Sequence, residues 1–175
     1  MAALLRPGRF CEIALRRLDA GGLLSGAHDG LGSTAGITAA ATVVAAPGVW
    51  VATLNRPHVL NAVGIRLAQE VVELGRALAE LATAASPRDE DAVRAVVLVG
   101  SGRAFSTGRD LKESKTHTPE QADLFQDLVR QSTDIWEAMP VPTIAAVHGP
   151  CYGWVCACQI SPWRLLLGTH LSHIL

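Results

Sequence analysis

Residues 95–112 read AVVLVGSGRAFSTGRDLK, and the interpretation of the whole chain depends on this stretch. Its first five residues are apolar and mostly β-branched, which predicts a strand buried on both faces. The glycines that follow predict a loop at the carboxyl end of that strand, where open α/β sheets bind ligands. Glycine also allows close approach to the backbone. We therefore expect a main-chain N–H near Gly108 and Arg109 to face a ligand, the alternative being an ordinary strand-to-loop turn.

The sequence on either side of this stretch predicts alternating strands and helices. Upstream, residues 38–46 and 49–54 predict a hairpin, and residues 63–84 predict a helix. Downstream, residues 118–138 predict a second helix, begun by a capping box at Thr118 and Gln121 with proline at the first helical position. Residues 143–147 predict a further buried strand. The fold class expected from this order is α/β.

Each predicted helix has one apolar stripe, and the polar residues off that stripe are expected to face solvent. Glu70 is among these solvent-facing residues of the first helix. The core-facing residues are expected to be Leu67, Val71, Leu74, Leu78 and Leu81 in the first helix, and Leu124, Phe125, Leu128, Ile135 and Trp136 in the second.

Two predicted strands end in loops that contain glycine, at Gly108 and Gly153. If these strands are parallel neighbours, both loops lie at the same edge of the sheet and can face one ligand. One backbone N–H from each loop would form an oxyanion hole, which stabilises negative charge on a carbonyl oxygen. No G-x-S-x-G, G-x-G-x-x-G or P-loop motif is present, which argues against a serine hydrolase and against these nucleotide sites.

Composition excludes several classes of protein. The 175 residues suit one domain, and the formal net charge of −1 gives no basic footprint for nucleic acid. No apolar run is long enough to span a bilayer. The four cysteines lack the C-x-x-C spacing typical of zinc sites, so we expect no metal site and reduced thiols.

The first 38 residues are expected to be an N-terminal extension outside the fold. Their beginning is rich in arginine and poor in acidic residues, and glycine, serine and alanine follow. That composition is typical of a mitochondrial transit peptide, although two acidic residues and Pro7 depart from the pattern. The alternative for these residues is an extension without function, and the alternative location of the protein is the cytoplasm.

Three motifs together resemble the enoyl-CoA hydratase/isomerase (crotonase) superfamily. They are LNRP with LNA at 54–57 and 60–62, GRAFSTGRDLK at 102–112, and PTIAAVHGP at 142–150. Their order and separation suit the superfamily, and the resemblance covers roughly residues 43–153. It implies a crotonase-like (ClpP/crotonase) β-β-α spiral at 39–154, incomplete at the C-terminus, followed by a divergent tail at 155–175.

The resemblance also implies an acyl-CoA thioester as the substrate, with coenzyme A as part of that substrate and no other cofactor. By position, the oxyanion donors would be the backbone N–H groups of Arg109 and Trp154. The expected substrate-binding residues are Arg56, Ser106, Thr107, Gly108, Asp110, Leu111 and Lys112. Of these, Arg56 and Lys112 would lie near phosphates, unless they are ordinary surface cations. Family members usually assemble as homotrimers or dimers of trimers.

The chain departs from the family pattern after the second donor. Hydratases of the family carry a glutamate three residues later, and this chain has Ala157 there. No carboxylate follows Glu137, so the second expected glutamate is also absent. We therefore expect a truncated chain, tested by resequencing the transcript. The leading reaction is hydration of a 2-enoyl thioester in acyl-CoA metabolism, and double-bond isomerisation is second. The alternatives are a non-catalytic acyl-CoA-binding pseudoenzyme and an inactive, unstable fragment.

Overall fold

A mixed β-sheet of five described strands forms the centre of the molecule. The computed structural model describes residues 12–17, 48–84, 92–153 and 165–168. The strands are β1 (Ile13–Arg17), β2 (Val49–Leu54), β3 (Ala95–Gly100), β4 (Thr143–Val147) and β5 (Leu165–Gly168), and they lie side by side in chain order. β1 pairs antiparallel with β2, whereas β2 to β5 are parallel to one another. Parallel neighbours bring the loops after β3 and β4 to the same edge.

Two long helices pack against each other and against the sheet. They are α1 (Ile65–Ala84) and α3 (Pro119–Glu137), and the short α2 (Leu111–Ser114) lies between β3 and α3. Gly75 lets the two long helices approach closely, because a Cβ there would lie 2.7 Å from the Ile135 side chain. Trp136 closes the same contact by donating its indole N–H to the Val71 carbonyl oxygen at 3.2 Å.

Alternate residues of the sheet belong to the core. Ala52, Leu98 and Ala145 lie next to one another across β2, β3 and β4, and all three are buried in one cluster with residues of α1 and α3. Their neighbours along the chain are only half-buried, including Val97. β3 was expected to be buried on both faces, but only alternate residues of it are fully buried. Within the described residues, the long helices contribute to a core on one face of the sheet.

The strand that pairs antiparallel with β2 is β1, not the predicted partner at residues 38–46, which lies outside the described residues. The backbone N–H groups of Glu12 and Ile13 donate to the Glu70 carboxylate at 2.8 and 3.0 Å. Glu70 is therefore buried and holds the start of β1 on α1, which corrects the expectation that it faces solvent. Part of the predicted extension at residues 1–38 is thus a strand of the sheet.

The region expected to be a divergent tail also contributes a strand. β5 pairs with β4 from Ile144 with Leu165 to Val147 with Gly168. A strand edge offers unpaired N–H and C=O groups, and an apolar segment can satisfy them by adding a strand. The remaining residues of 155–175 lie outside the described part of the chain.

Most of the predicted elements are confirmed. β4 has the expected bounds, and α1 and α3 agree with the prediction within two residues at each end. Leu67, Leu74, Leu78, Phe125, Leu128 and Trp136 are buried as expected. Leu124 is 41% exposed, and its predicted place in the core is wrong. Of these two neighbours only Phe125 faces the core, since adjacent residues of a helix point in different directions.

The capping box at the start of α3 is present. Gln121 N–H donates to Thr118 Oγ1 at 3.3 Å, and Thr118 N–H donates to Gln121 Oε1 at 2.9 Å. Thr118→Ala is expected to lower the free energy of unfolding by about 1 kcal/mol, because the Gln121 N–H loses its side-chain acceptor. Denaturant unfolding followed by circular dichroism measures this change.

Thr83→Ala is the matched control. Thr83 is exposed near the end of α1, where its hydroxyl donates to the Ala79 carbonyl oxygen of the same helix at 2.8 Å. Its removal is expected to change stability by less than about 0.5 kcal/mol. Equal destabilisation by the two substitutions would contradict a capping role for Thr118.

Candidate active site

The loops that follow β3 and β4 meet at the edge of the sheet, as the sequence predicted. Tyr152 N–H donates to the Ser106 carbonyl oxygen at 3.0 Å, and Ser106 pairs with Cys151 as a parallel bridge. Gly108 has φ +77°, and a Cβ there would lie 2.8 Å from the Tyr152 carbonyl oxygen and 3.4 Å from Gly153 Cα. The two glycine-bearing loops are therefore in van der Waals contact.

The backbone N–H of Arg109 has no acceptor among the described residues, although its neighbours on both sides are bonded. Gly108 donates its N–H to Ser106 Oγ at 3.2 Å, and its carbonyl oxygen accepts the Val63 N–H at 2.7 Å. Asp110 N–H donates to the Val63 carbonyl oxygen at 2.9 Å. In a parallel bridge one residue of the pair makes both hydrogen bonds, and here that residue is Val63. The other residue, Arg109, directs its own N–H away from its partner. The Arg109 N–H is thus directed away from Val63 and is available to a ligand.

The side chain of Arg109 points to α3. Its Nε donates to Ser114 Oγ at 2.6 Å, and its guanidinium carbon lies 4.8 Å from the centroid of the Phe125 ring. This cation–π contact and hydrogen bond hold the side chain against the helices. Arg109 therefore offers its backbone to a ligand while its charge is engaged elsewhere.

Asn61 organises the inner side of the site, a role that the sequence analysis missed. It is completely buried and adopts φ +56°, a conformation that asparagine tolerates better than most residues. Its Nδ2 donates to the carbonyl oxygens of Ser101 and Ala104 at 2.9 and 2.8 Å, and its Oδ1 accepts the Arg56 N–H at 2.9 Å. The asparagine of the LNA motif was the available signal, but the motif alone assigns it no contact.

Ser106 is also completely buried. Its hydroxyl donates to the Asn61 carbonyl oxygen at 2.8 Å and accepts the Gly108 N–H. The hydroxyl therefore faces the interior of the loop. Thr107 is half-buried and donates its N–H to the Leu60 carbonyl oxygen at 3.1 Å.

Arg56 links three segments around the site. Its Nε lies 3.1 Å from the Glu12 carboxylate, and its Nη1 donates to the Ala62 carbonyl oxygen at 2.6 Å and to Asp110 Oδ2 at 3.4 Å. Asp110 in turn caps α2, accepting the N–H groups of Lys112 and Glu113. Burial raises the pKa of the Glu12 carboxyl, although the Arg56 guanidinium opposes this rise. Two carboxylates thus already engage the Arg56 cation.

Lys112 and Leu111 face solvent beside the loop contact. No carboxylate lies within ion-pair distance of Lys112 in the described part of the chain. Of the two cations that the sequence analysis associated with phosphates, Lys112 is therefore the one whose charge is not already paired. Leu111 is 69% exposed and presents an apolar surface next to it.

The second expected donor, Trp154, lies outside the described residues, as does Ala157. The described part of this loop ends at Gly153, whose φ is +73°. Cys151 is buried and disulfide-bonded, which corrects the expectation of reduced thiols. The other three cysteines of the chain all lie outside the described residues.

Comparison with known proteins identifies the family. A sequence model described as enoyl-CoA hydratase/isomerase matches residues 45–159, about two thirds of the chain. The chain belongs to the enoyl-CoA hydratase/isomerase family. The match includes both glycine-bearing loops, and the fold is that of the crotonases. None of the described helices has the length and apolar character needed to cross a membrane.

Individual relatives of the family share between about a quarter and a third of the aligned residues with this chain. An enoyl-CoA isomerase/hydratase of Mycosarcoma maydis is 32% identical over 106 residues, covering 61% of this chain and 38% of the relative. A hydroxycinnamoyl-CoA hydratase-lyase of Pseudomonas fluorescens is 29% identical over 111 residues, covering 61% and 37%. The crystal structure of an enoyl-CoA hydratase from Bacillus anthracis superposes with a TM-score of 0.58 at 26% identity, covering 70% of this chain and 45% of that one. The chain thus spans less than half the length of these proteins.

Proposed function

We propose that this protein binds an acyl-CoA thioester and polarises its carbonyl group with backbone N–H donors. The observation that carries the proposal is the Arg109 N–H, which has no acceptor among the described residues and lies where two glycine-bearing loops meet. A free, fixed N–H at the edge of a parallel sheet is a donor for a ligand oxygen. Family membership supports a coenzyme A thioester as the source of that oxygen.

The chemistry of a thioester suits such a donor. Removing a proton from the α-carbon, or adding a nucleophile to the β-carbon of a 2-enoyl thioester, moves negative charge onto the carbonyl oxygen as an enolate. An N–H placed at that oxygen stabilises the enolate more than the ground-state carbonyl, by about 3 kcal/mol for each donor. In the proposal, Arg109 supplies one donor and the backbone of Trp154 supplies the second.

The exposed part of the loop would contact the coenzyme A portion. Leu111 would pack against the pantetheine arm, and the Lys112 ammonium would attract the phosphates. Ser106, Gly108 and Asp110 are buried, so in this proposal they shape the loop from inside. The same holds for the paired Arg56 guanidinium. Coenzyme A would be part of the substrate, and the proposal needs no other cofactor.

Hydration of a 2-enoyl thioester is the reaction we propose first, and double-bond isomerisation second. Both reactions need a group that takes and gives protons. The sequence favours a second candidate function, a non-catalytic acyl-CoA binder. Ala157 stands where family hydratases carry a glutamate. Such a binder would keep the backbone donor without the proton transfer.

Binding and turnover can be measured separately on the full chain. We expect butyryl-CoA to raise the melting temperature and to bind more tightly than S-butyl-coenzyme A, a thioether that lacks the carbonyl oxygen. Hydration of crotonyl-CoA, followed by loss of its ultraviolet absorbance, separates the candidates: turnover above background supports the hydratase and background turnover supports the binder. Equal affinity for thioester and thioether would contradict carbonyl recognition.

The cellular location and the assembly state are further parts of the proposal. The arginines at positions 6 and 9, which precede β1, support mitochondrial import, and fusing residues 1–38 to a fluorescent protein would test it. Assembly as a trimer would follow the family pattern. Gel filtration with light scattering on the full chain measures the assembly state.

A further inference from the structure

The direction of the Arg109 N–H depends on how the peptide unit before it is held. The carbonyl group of Gly108 belongs to the same peptide plane as the Arg109 N–H, and it accepts the Val63 N–H. The other side of Gly108 is held by its own N–H, which donates to Ser106 Oγ at 3.2 Å. Gly108 is therefore clamped at both of its backbone polar groups.

The Ser106 oxygen acts as the acceptor of this N–H because the Ser106 hydroxyl hydrogen is already donated to another group. The hydroxyl donates to the Asn61 carbonyl oxygen at 2.8 Å, so its lone pairs are directed to Gly108. Asn61 is in turn held by three side-chain hydrogen bonds to the backbone of Ser101, Ala104 and Arg56. A continuous, buried path of hydrogen bonds thus runs from the Asn61 side chain to the peptide before Arg109.

We propose that Asn61 and Ser106 are positioning residues that aim the Arg109 N–H at the carbonyl oxygen of the bound thioester. The proposal rests on the proposed function and adds the residues that make the donor effective. Neither side chain touches the ligand, since both are completely buried. Their effect is confined to affinity that depends on the carbonyl group, because the coenzyme A portion would contact other residues.

Ser106→Ala tests the path with the smallest change in volume. The substitution leaves the Gly108 N–H and the Asn61 carbonyl oxygen without partners, so the loop is free to reorient. We expect the preference for butyryl-CoA over S-butyl-coenzyme A to fall about tenfold, with little change in affinity for the thioether. Isothermal titration with each ligand on the full chain measures this preference.

Ser101→Ala is the matched control. Ser101 is a buried serine of the same loop, and its hydroxyl donates a long hydrogen bond of 3.5 Å to Asn61 Oδ1, an oxygen that also accepts the Arg56 N–H at 2.9 Å. Its removal therefore leaves Asn61 Oδ1 with a partner and leaves both hydrogen bonds of the Ser106 hydroxyl intact. We expect it to keep the full preference for the thioester. Ser106→Cys retains a weak donor and acceptor at the right position, and we expect it to restore part of the preference lost in Ser106→Ala.

A second measurement does not need a ligand. Amide hydrogen exchange by NMR is expected to show the Gly108 N–H protected in the wild type and in Ser101→Ala, and exchanging at least tenfold faster in Ser106→Ala. The Arg109 amide resonance is expected to shift in Ser106→Ala and to stay in place in Ser101→Ala. Circular dichroism establishes whether each variant folds, and Ser106→Cys replaces Ser106→Ala if the alanine variant does not.

The outcomes separate the two proposals. If the wild type shows no preference for the thioester, the proposed function fails, and the exchange measurement alone decides the positioning role. If the wild type shows the preference but Ser106→Ala and Ser106→Cys keep it in full, with Gly108 still protected, the positioning role is overturned. An equal loss in Ser101→Ala would overturn it as well, because the effect would then belong to loop packing in general.

Discussion

Replacing Asn61 by aspartate is expected to lower the free energy of unfolding by about 3 kcal/mol, which is a large share of the stability of a small domain. The Nδ2 group of Asn61 donates to the Ser101 and Ala104 carbonyl oxygens in a completely buried position. A carboxylate there offers no donor and places negative charge against both oxygens. The loop between β3 and α2 would lose its inner support, and denaturant unfolding measures the loss.

Asn55→Asp is the matched control for this prediction. It makes the same chemical change five residues before the Leu60–Asn61 turn, at an exposed position that follows β2. An exposed carboxylate stays hydrated, so we expect a change within about 0.5 kcal/mol. Similar losses in the two variants would mean that the general charge of the segment, and not the buried amide, determines stability.

Elements encoded by local signals could be predicted from the sequence. Apolar spacing in α1, the capping box of α3 and the short apolar run of β4 each occupy a few consecutive residues, and the structure confirms them. The meeting of the two glycine-bearing loops could also be predicted, because it follows from the parallel pairing of β3 and β4. These inferences need only helical or strand periodicity and one rule about sheet edges.

Contacts between distant segments could not be predicted in the same way. Glu70 lies off the apolar stripe of α1, and its carboxylate gains two backbone N–H donors only because residues 12 and 13 pack against the helix. Asn61 likewise has its role only because its side chain donates to carbonyl oxygens that lie 40 and 43 residues further along the chain. A buried polar residue and an exposed one look alike in sequence until their partners are known.

The same distinction separates the residues of the candidate site. Motif position predicted a group of residues from Arg56 to Lys112, whereas burial divides that group into two. The Ser106 and Asp110 side chains make internal hydrogen bonds, while Leu111 and Lys112 are exposed and the Arg109 N–H has no acceptor among the described residues. An oxyanion hole built from backbone groups leaves little trace in side-chain identity, since its quality depends on how rigidly the loop is held.

Gly108→Ala is expected to weaken binding of butyryl-CoA at least about tenfold. Gly108 adopts φ +77°, and a Cβ would lie 2.8 Å from the Tyr152 carbonyl oxygen, so the two loops would have to separate. The peptide that carries the Arg109 N–H moves with Gly108, and the donor is displaced from its position. The left-handed conformation adds about 1–2 kcal/mol of strain for alanine, which denaturant unfolding measures independently.

Gly102→Ala separates displacement of the donor from backbone strain. Gly102 has nearly the same conformation, φ +75°, but a Cβ there would meet Pro57 Cβ at 2.9 Å and not the second loop. We expect it to lose stability through the same strain and to bind butyryl-CoA as the wild type does. If Gly102→Ala weakened binding as much as Gly108→Ala, strain anywhere in the loop would be sufficient. The contact between the loops would then have no special role in holding the donor.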